Sequence, residues 1–87
     1  MNETLTFNNG TVLQNSYAIQ VDMVLYIYIK DESCSFEDAF ELLNNQNTVS
    51  KIICNRYGQK ETYEGFTDFY SITKDRMQIS AGIRQAV

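Results

Sequence analysis

The chain has no histidine, so the side chain that most often moves a proton near neutral pH is missing. Cys34 and Cys54 would be cysteine nucleophiles without an imidazole partner, and two thiols alone do not complete a four-ligand zinc site. They read as small buried or half-buried thiols. The acidic pairs Asp31/Glu32 and Glu37/Asp38 are sequence neighbours whose side chains diverge, which suits capping and solubility rather than paired acid–base work. No phosphate-cradling glycine loop and no G-x-S-x-G nucleophile turn is present. The expectation is a protein that is not an enzyme and needs no cofactor and no metal.

The densest cluster of contact-making residues is RYGQKETYEGFTDFY, positions 56–70. Aromatic rings interleaved with cations can stack on a nucleotide or anchor a protein partner. Phe66 and Tyr63 read as core. Arg56 and Tyr57 on a turn and Tyr70 near a strand end are the partner-binding candidates, and Lys74 and Arg76 extend the same rim. The charge distribution agrees. Residues 1–44 carry seven acids against Lys30, net −6, while residues 45–87 carry four acids against six bases, net +2. That half could hold a small anionic ligand, such as a nucleotide, or a protein partner. The overall charge of −4 disfavours nucleic acid.

These residues need elements to position them. Eighty-seven residues suit a single domain, 1–87, with a thin core. The longest uncharged apolar run, Met23 to Ile29, is far short of the roughly 20 residues of a membrane helix, and no secretory signal is visible, so the expected location is the cytoplasm of whichever cell makes the chain. With no proline in the chain, turns fall to Gly, Asn and Asp. NNG at 8–10 predicts a hairpin with strands at 3–7 and 11–14. Asn15-Ser16 predicts a bend. Residues 17–30 read as extended, interrupted at Asp22 by a bulge or turn. Ser33 or Ser35 can cap a helix over 35–44, whose apolar stripe is Phe36, Ala39, Phe40 and Leu43, widened by Leu42. Further strands are expected at 48–54 and 60–64, then a bulge at Gly65, the stretch 66–73 and a closing strand from Met77. The fold class is α+β: a single antiparallel sheet of about five to six strands with one short helix on one face, in the order β-β-β-α-β-β-β.

The stretch VLYIYIK, 24–30, then has two stripes. Leu25, Ile27 and Ile29 can meet the helix. Tyr26 and Tyr28 lie on the other face, left to solvent, to the N-terminal hairpin, or to a second copy of the chain. A homo-oligomer built on Tyr26 and Tyr28 is the expectation, because a thin core gains from association.

Three features resemble small proteins of bacteriophages and prophages from Gram-positive gut bacteria. They are T-F-x-N-G-T (Thr6, Phe7, Asn9, Gly10, Thr11), S-x-E-D-A-x-x-L-L (Ser35 to Leu43) and Y-E-G-F-T (Tyr63 to Thr67). The resemblance implies a non-enzymatic inhibitor that binds or sequesters a component of bacterial antiviral defence. Its alternative is a minor virion or tail assembly protein acting through self-association.

Overall fold

A computed structural model describes residues 3–44, 51–64, 66–73 and 78–83, with side chains described throughout except at 43–44, 66–73, 78–79 and 81–83. Among the described residues there are eight strands and one helix: β1 (Thr4–Phe7), β2 (Val12–Gln14), β3 (Tyr17–Val21), β4 (Val24–Tyr28), α1 (Phe36–Asn44), β5 (Lys51–Arg56), β6 (Gln59–Glu64), β7 (Phe66–Thr73) and β8 (Gln78–Ile83). The α+β class holds. The single sheet does not: the strands form two four-stranded sheets, ordered β2-β1-β5-β6 and β3-β4-β8-β7, with every pairing antiparallel. The extra strand before the helix arises because Asp22-Met23 is a true two-residue turn rather than a bulge.

Four turns fix the local geometry. Gly10, at φ 92°, lets the first hairpin close through Phe7 N–H donating to Thr11 O at 2.8 Å and Gly10 N–H donating to Phe7 O at 2.9 Å. Asn15 and Asp22 take the left-handed region, at φ 56° and 55°, which their short polar side chains tolerate. The Tyr57-Gly58 turn has both residues there, at φ 53° and 76°, the signature of a type I′ hairpin. The helix begins at the Ser35 cap, whose hydroxyl accepts the Asp38 N–H at 3.1 Å. The expected bulge at Gly65 lies outside the described residues, although the β7–β8 register slips between Phe66 and Phe69 and again between Phe69 and Ser71.

The core lies between the sheets. From the first come Leu5, Phe7, Leu13, Ile52 and Cys54. From the second come Ala18, Leu25 and Ile27, joined by Ile29 and by Ala39 of the helix. Leu5, Leu25, Ile27 and Ile52 have no exposed surface. Leu25 and Ile27 therefore meet mainly the first sheet, and the expected pairing with Phe40 fails: Phe40 is 46% exposed, and among the described side chains of the helix only Ala39 is fully buried. Phe36 and Leu42 are half-buried, and the Leu43 side chain lies outside the described residues. The N-terminal hairpin belongs to the first sheet, so it covers the Leu25/Ile27 face and not the tyrosine face.

The crossing from one sheet to the other is tied by two side chains. Ser16, with no exposed surface, donates its hydroxyl to Gln14 O at 2.9 Å and accepts Lys30 N–H at 3.0 Å. Asp31 accepts the Gln14 N–H at 2.7 Å and both the N–H and hydroxyl of Ser33. The Ser33 hydroxyl, then the Gln14 and Ser33 backbone N–H groups, hold the Asp31 carboxyl below its ordinary pKa. Replacing Ser16 by alanine leaves the Lys30 N–H without its acceptor in a buried site. Ser16→Ala should lower unfolding free energy by about 1–3 kcal/mol, read as a shifted urea midpoint at unchanged slope. An unshifted midpoint would contradict this role.

Candidate functional site

Inner-face residues of a sheet are covered only as far as the opposing sheet extends. In the first sheet, cross-strand register puts Leu5, Cys54 and Glu61 in one row, Phe7, Ile52 and Tyr63 in another, and Arg56 beside Gln59. All share the inner face with the core. The second sheet ends at its edge strand β3, which lies against β1 and β5. Beyond that edge the inner face continues uncovered, and Gln59 and Glu61 are exposed although they point the same way as buried Ile52 and Cys54. The result is an open groove of about 460 Å³ with β3 on one side (Ala18, Ile19, Gln20), Cys54, Arg56, Gln59, Glu61 and Tyr63 as its floor, and Tyr57 at its rim. The volume falls within the ordinary range for ligand clefts.

Arg56 anchors one end. Its Nε lies 2.9 Å from Glu3 Oε2, and both atoms are buried without a hydrogen-bond partner, so they meet as an ion pair. The guanidinium sits 4.2 Å from the Tyr17 ring centre and 4.9 Å from that of Tyr57. Tyr17 in turn stacks on Tyr28 with centroids 4.9 Å apart. Stacked cations of this kind contribute about 0.5–2 kcal/mol. Glu3 offsets the Arg56 charge, so the cation expected to receive an anion is already partnered. Glu61 has no ion-pair partner among the described residues.

Tyr57 is different in kind. It is 70% exposed and sits at φ 53°, where Asn, Asp or Gly is the usual choice and an aromatic side chain is strained by about 1–3 kcal/mol. Strain at an exposed aromatic is a functional signal.

The reactive group in the groove is the Cys54 thiol. Burial raises its pKa above the ordinary value, outweighing a hydrogen bond from the Ala18 N–H to its sulfur and the nearby Arg56 charge. Cys34 is raised by burial and by the Asp38 and Asp31 carboxylates, and Tyr63 by burial and by Cys54 and Glu61. Both cysteines are free. None of these shifts produces a nucleophile or a base near neutral pH. Among the described residues, no three Cys, Asp or Glu side chains gather as a metal site would require, and no helix there is long and apolar enough to cross a membrane.

Of the sequence-derived candidates, Arg56 and Tyr57 come together at this groove. The Tyr70 side chain, and Lys74 and Arg76 altogether, lie outside the described residues. Tyr26 and Tyr28 sit on the outer face of the second sheet, half-buried. There, three cross-strand pairs form an uncharged ladder: Tyr17 with Tyr28, Ile19 with Tyr26, Val21 with Val24. Sequence reasoning missed Glu3, Gln20 and Glu61, because their meeting depends on which strands pair across the two sheets.

Comparison of the chain with protein-family models, with curated proteins and with solved structures found no match.

The thiol shifts carry a pH sign. A raised pKa means that the folded state favours the neutral thiol, so this contribution to stability is complete below the ordinary thiol value of 9.0 and is lost as pH rises beyond it. At pH 8, Cys54 should react with iodoacetamide several-fold more slowly in the folded chain than in urea, and stability should fall above pH 9, as followed by mass spectrometry and alkaline unfolding. Equal alkylation rates in the two states would contradict this.

Proposed function

We propose that this chain is a non-enzymatic binding protein that captures a protein partner in the groove between β3 and the inner face of β5 and β6. The observation that carries this reading is Tyr57: a large aromatic, mostly exposed and held in a left-handed conformation at the groove rim, where Asn would make a better turn. An exposed aromatic held beside Arg56 at the rim is suited to burial by a partner. The Arg56–Glu3 pairing favours a protein partner over a small anionic ligand, since an incoming phosphate would face Glu3 and Glu61. The resemblance to small phage proteins specifies the class of partner as a component of bacterial antiviral defence, which binding would block or sequester.

The uncharged ladder on the outer face of the second sheet favours a second reading, self-association in the manner of a minor virion or assembly protein. Ile19 and Val21 are 37% and 53% exposed, and the six side chains of this face of β3 and β4 are themselves uncharged, with Lys30 and Arg56 over the Tyr17 ring at one end. Such faces are typical of interfaces.

Tyr57→Asn separates turn chemistry from binding. It should stabilise the chain by about 0.5–1 kcal/mol while weakening partner capture by about tenfold or more. The biological test is phage plating on bacteria that carry antiviral defence systems. Expression of the chain should restore plaques, and Tyr57→Asn should not. Unrestored plating would overturn the inhibitor reading, and restoration by both forms would place the contact elsewhere. For the second reading, Tyr26→Ala combined with Tyr28→Ala should lower the molar mass seen by light scattering while circular dichroism stays unchanged. A wild-type chain that is monomeric at every concentration would sink it.

A further inference from the structure

Two-residue hairpins close on a hydrogen-bonded pair, and bonded and non-bonded pairs then alternate along an antiparallel ladder. The Asp22-Met23 turn closes on Val21 and Val24. The bonded pairs of β3 with β4 are therefore Val21/Val24, Ile19/Tyr26 and Tyr17/Tyr28. The backbone groups of Ala18 and Gln20 consequently point away from β4, off the sheet edge. The influence of the Ala18 backbone on the Cys54 thiol fits this parity. Gln20 is left with an outward N–H and C=O that meet nothing among the described residues, and they open into the groove. Its side chain does not fill the gap, because Nε2 donates to Asp22 O at 2.9 Å.

We infer that the groove accepts an extended segment of the partner, laid beside β3 as a fifth strand of the second sheet, with a basic side chain set against Glu61. This rests on the groove being the binding site. It adds the partner's conformation and charge. The open edge supplies the backbone bonds of strand addition. Alternate side chains of the added strand would fall on the uncovered inner face, over Cys54 and Tyr63. Charge selects the segment. Arg56 is balanced by Glu3, Glu61 is not balanced, and the groove is left with one net negative charge. A nucleotide or acidic segment meets repulsion there, whereas Lys or Arg on the added strand meets Glu61.

The test uses short random peptides displayed on a library and selected on the intact chain. Selected peptides should alternate apolar and polar residues and carry Lys or Arg, and selection on Glu61→Lys should shift that position to Asp or Glu. Binding of one selected peptide is then measured by fluorescence anisotropy. Gln20→Pro removes the outward N–H, a change an edge position tolerates, and should weaken the peptide by tenfold or more with the urea midpoint little changed. As a second measurement independent of that variant's folding, methylating alternate backbone nitrogens of the peptide should abolish binding in one phase and spare it in the other. If every methylated peptide binds equally, or Gln20→Pro binds as wild type, strand addition is wrong although the groove still binds. If the peptides ignore Tyr57→Asn and Glu61→Lys, the groove reading fails as well. If nothing is selected above background, or selection yields acidic peptides, the inference is overturned.

Discussion

At the edge of the second sheet, Tyr17 and Ala18 of β3 form the junction with the first sheet. Ala18 is small and 4% exposed, so β3 can approach β5 closely enough for its backbone to influence the Cys54 thiol. Tyr17 carries the Arg56 guanidinium on its ring, and Glu3 closes the other side of that cation. A larger residue at 18 would force the sheets apart. This junction fixes where the second sheet stops, and so which inner-face residues of β5 and β6 stay uncovered. The groove is a consequence of where the edge strand β3 ends the cover that the second sheet gives the first.

The same constraint explains the distribution of apolar surface. A chain of this size cannot cover both faces of both sheets. Its buried side chains are concentrated between the sheets, with Ala39 of the helix closing the cluster. The outer face of β3 and β4 is left with tyrosine and β-branched residues, which pair across the strands and tolerate partial wetting. Edge strands invite unwanted pairing. Here the β3 edge lies partly against β1 and β5, and the open portion is at Gln20. Arg56 also places a bulky cation at one end of the groove, which limits how a neighbouring chain can enter.

Much of this was legible from local chemistry. NNG announced the first hairpin, Ser33 or Ser35 the helix start (the cap is Ser35), and the alternation in VLYIYIK separated Leu25 and Ile27 from Tyr26 and Tyr28 correctly. The division into two sheets was not legible. A period of two says which residues share a face, but the pairing of β1 with β5 across more than forty intervening residues leaves no local trace. Phe40 misled for a related reason: helical spacing places it beside Phe36, but Ala39 and Leu42 are the described helix residues that pack on the core once the first sheet has taken the Leu25/Ile27 face. Within the site, Arg56 and Tyr57 were visible because aromatic and basic residues flank a glycine turn. Their meaning changed on finding Glu3, a residue far away in sequence that removes the cation from play. Gln20 and Glu61 look like ordinary surface residues until the register puts one on an open edge and the other on an uncovered inner face.

The central claim is that β3 presents an unfilled edge beside the groove. Residue-resolved amide hydrogen exchange on the free protein tests it most directly. The account predicts slow exchange at Tyr17, Ile19 and Val21, which bond to β4, slow or intermediate exchange at Ala18, which is 4% exposed beside the first sheet, and fast exchange at Gln20. Protection at Gln20 equal to that at Ile19 would contradict it, because the edge would then already be occupied.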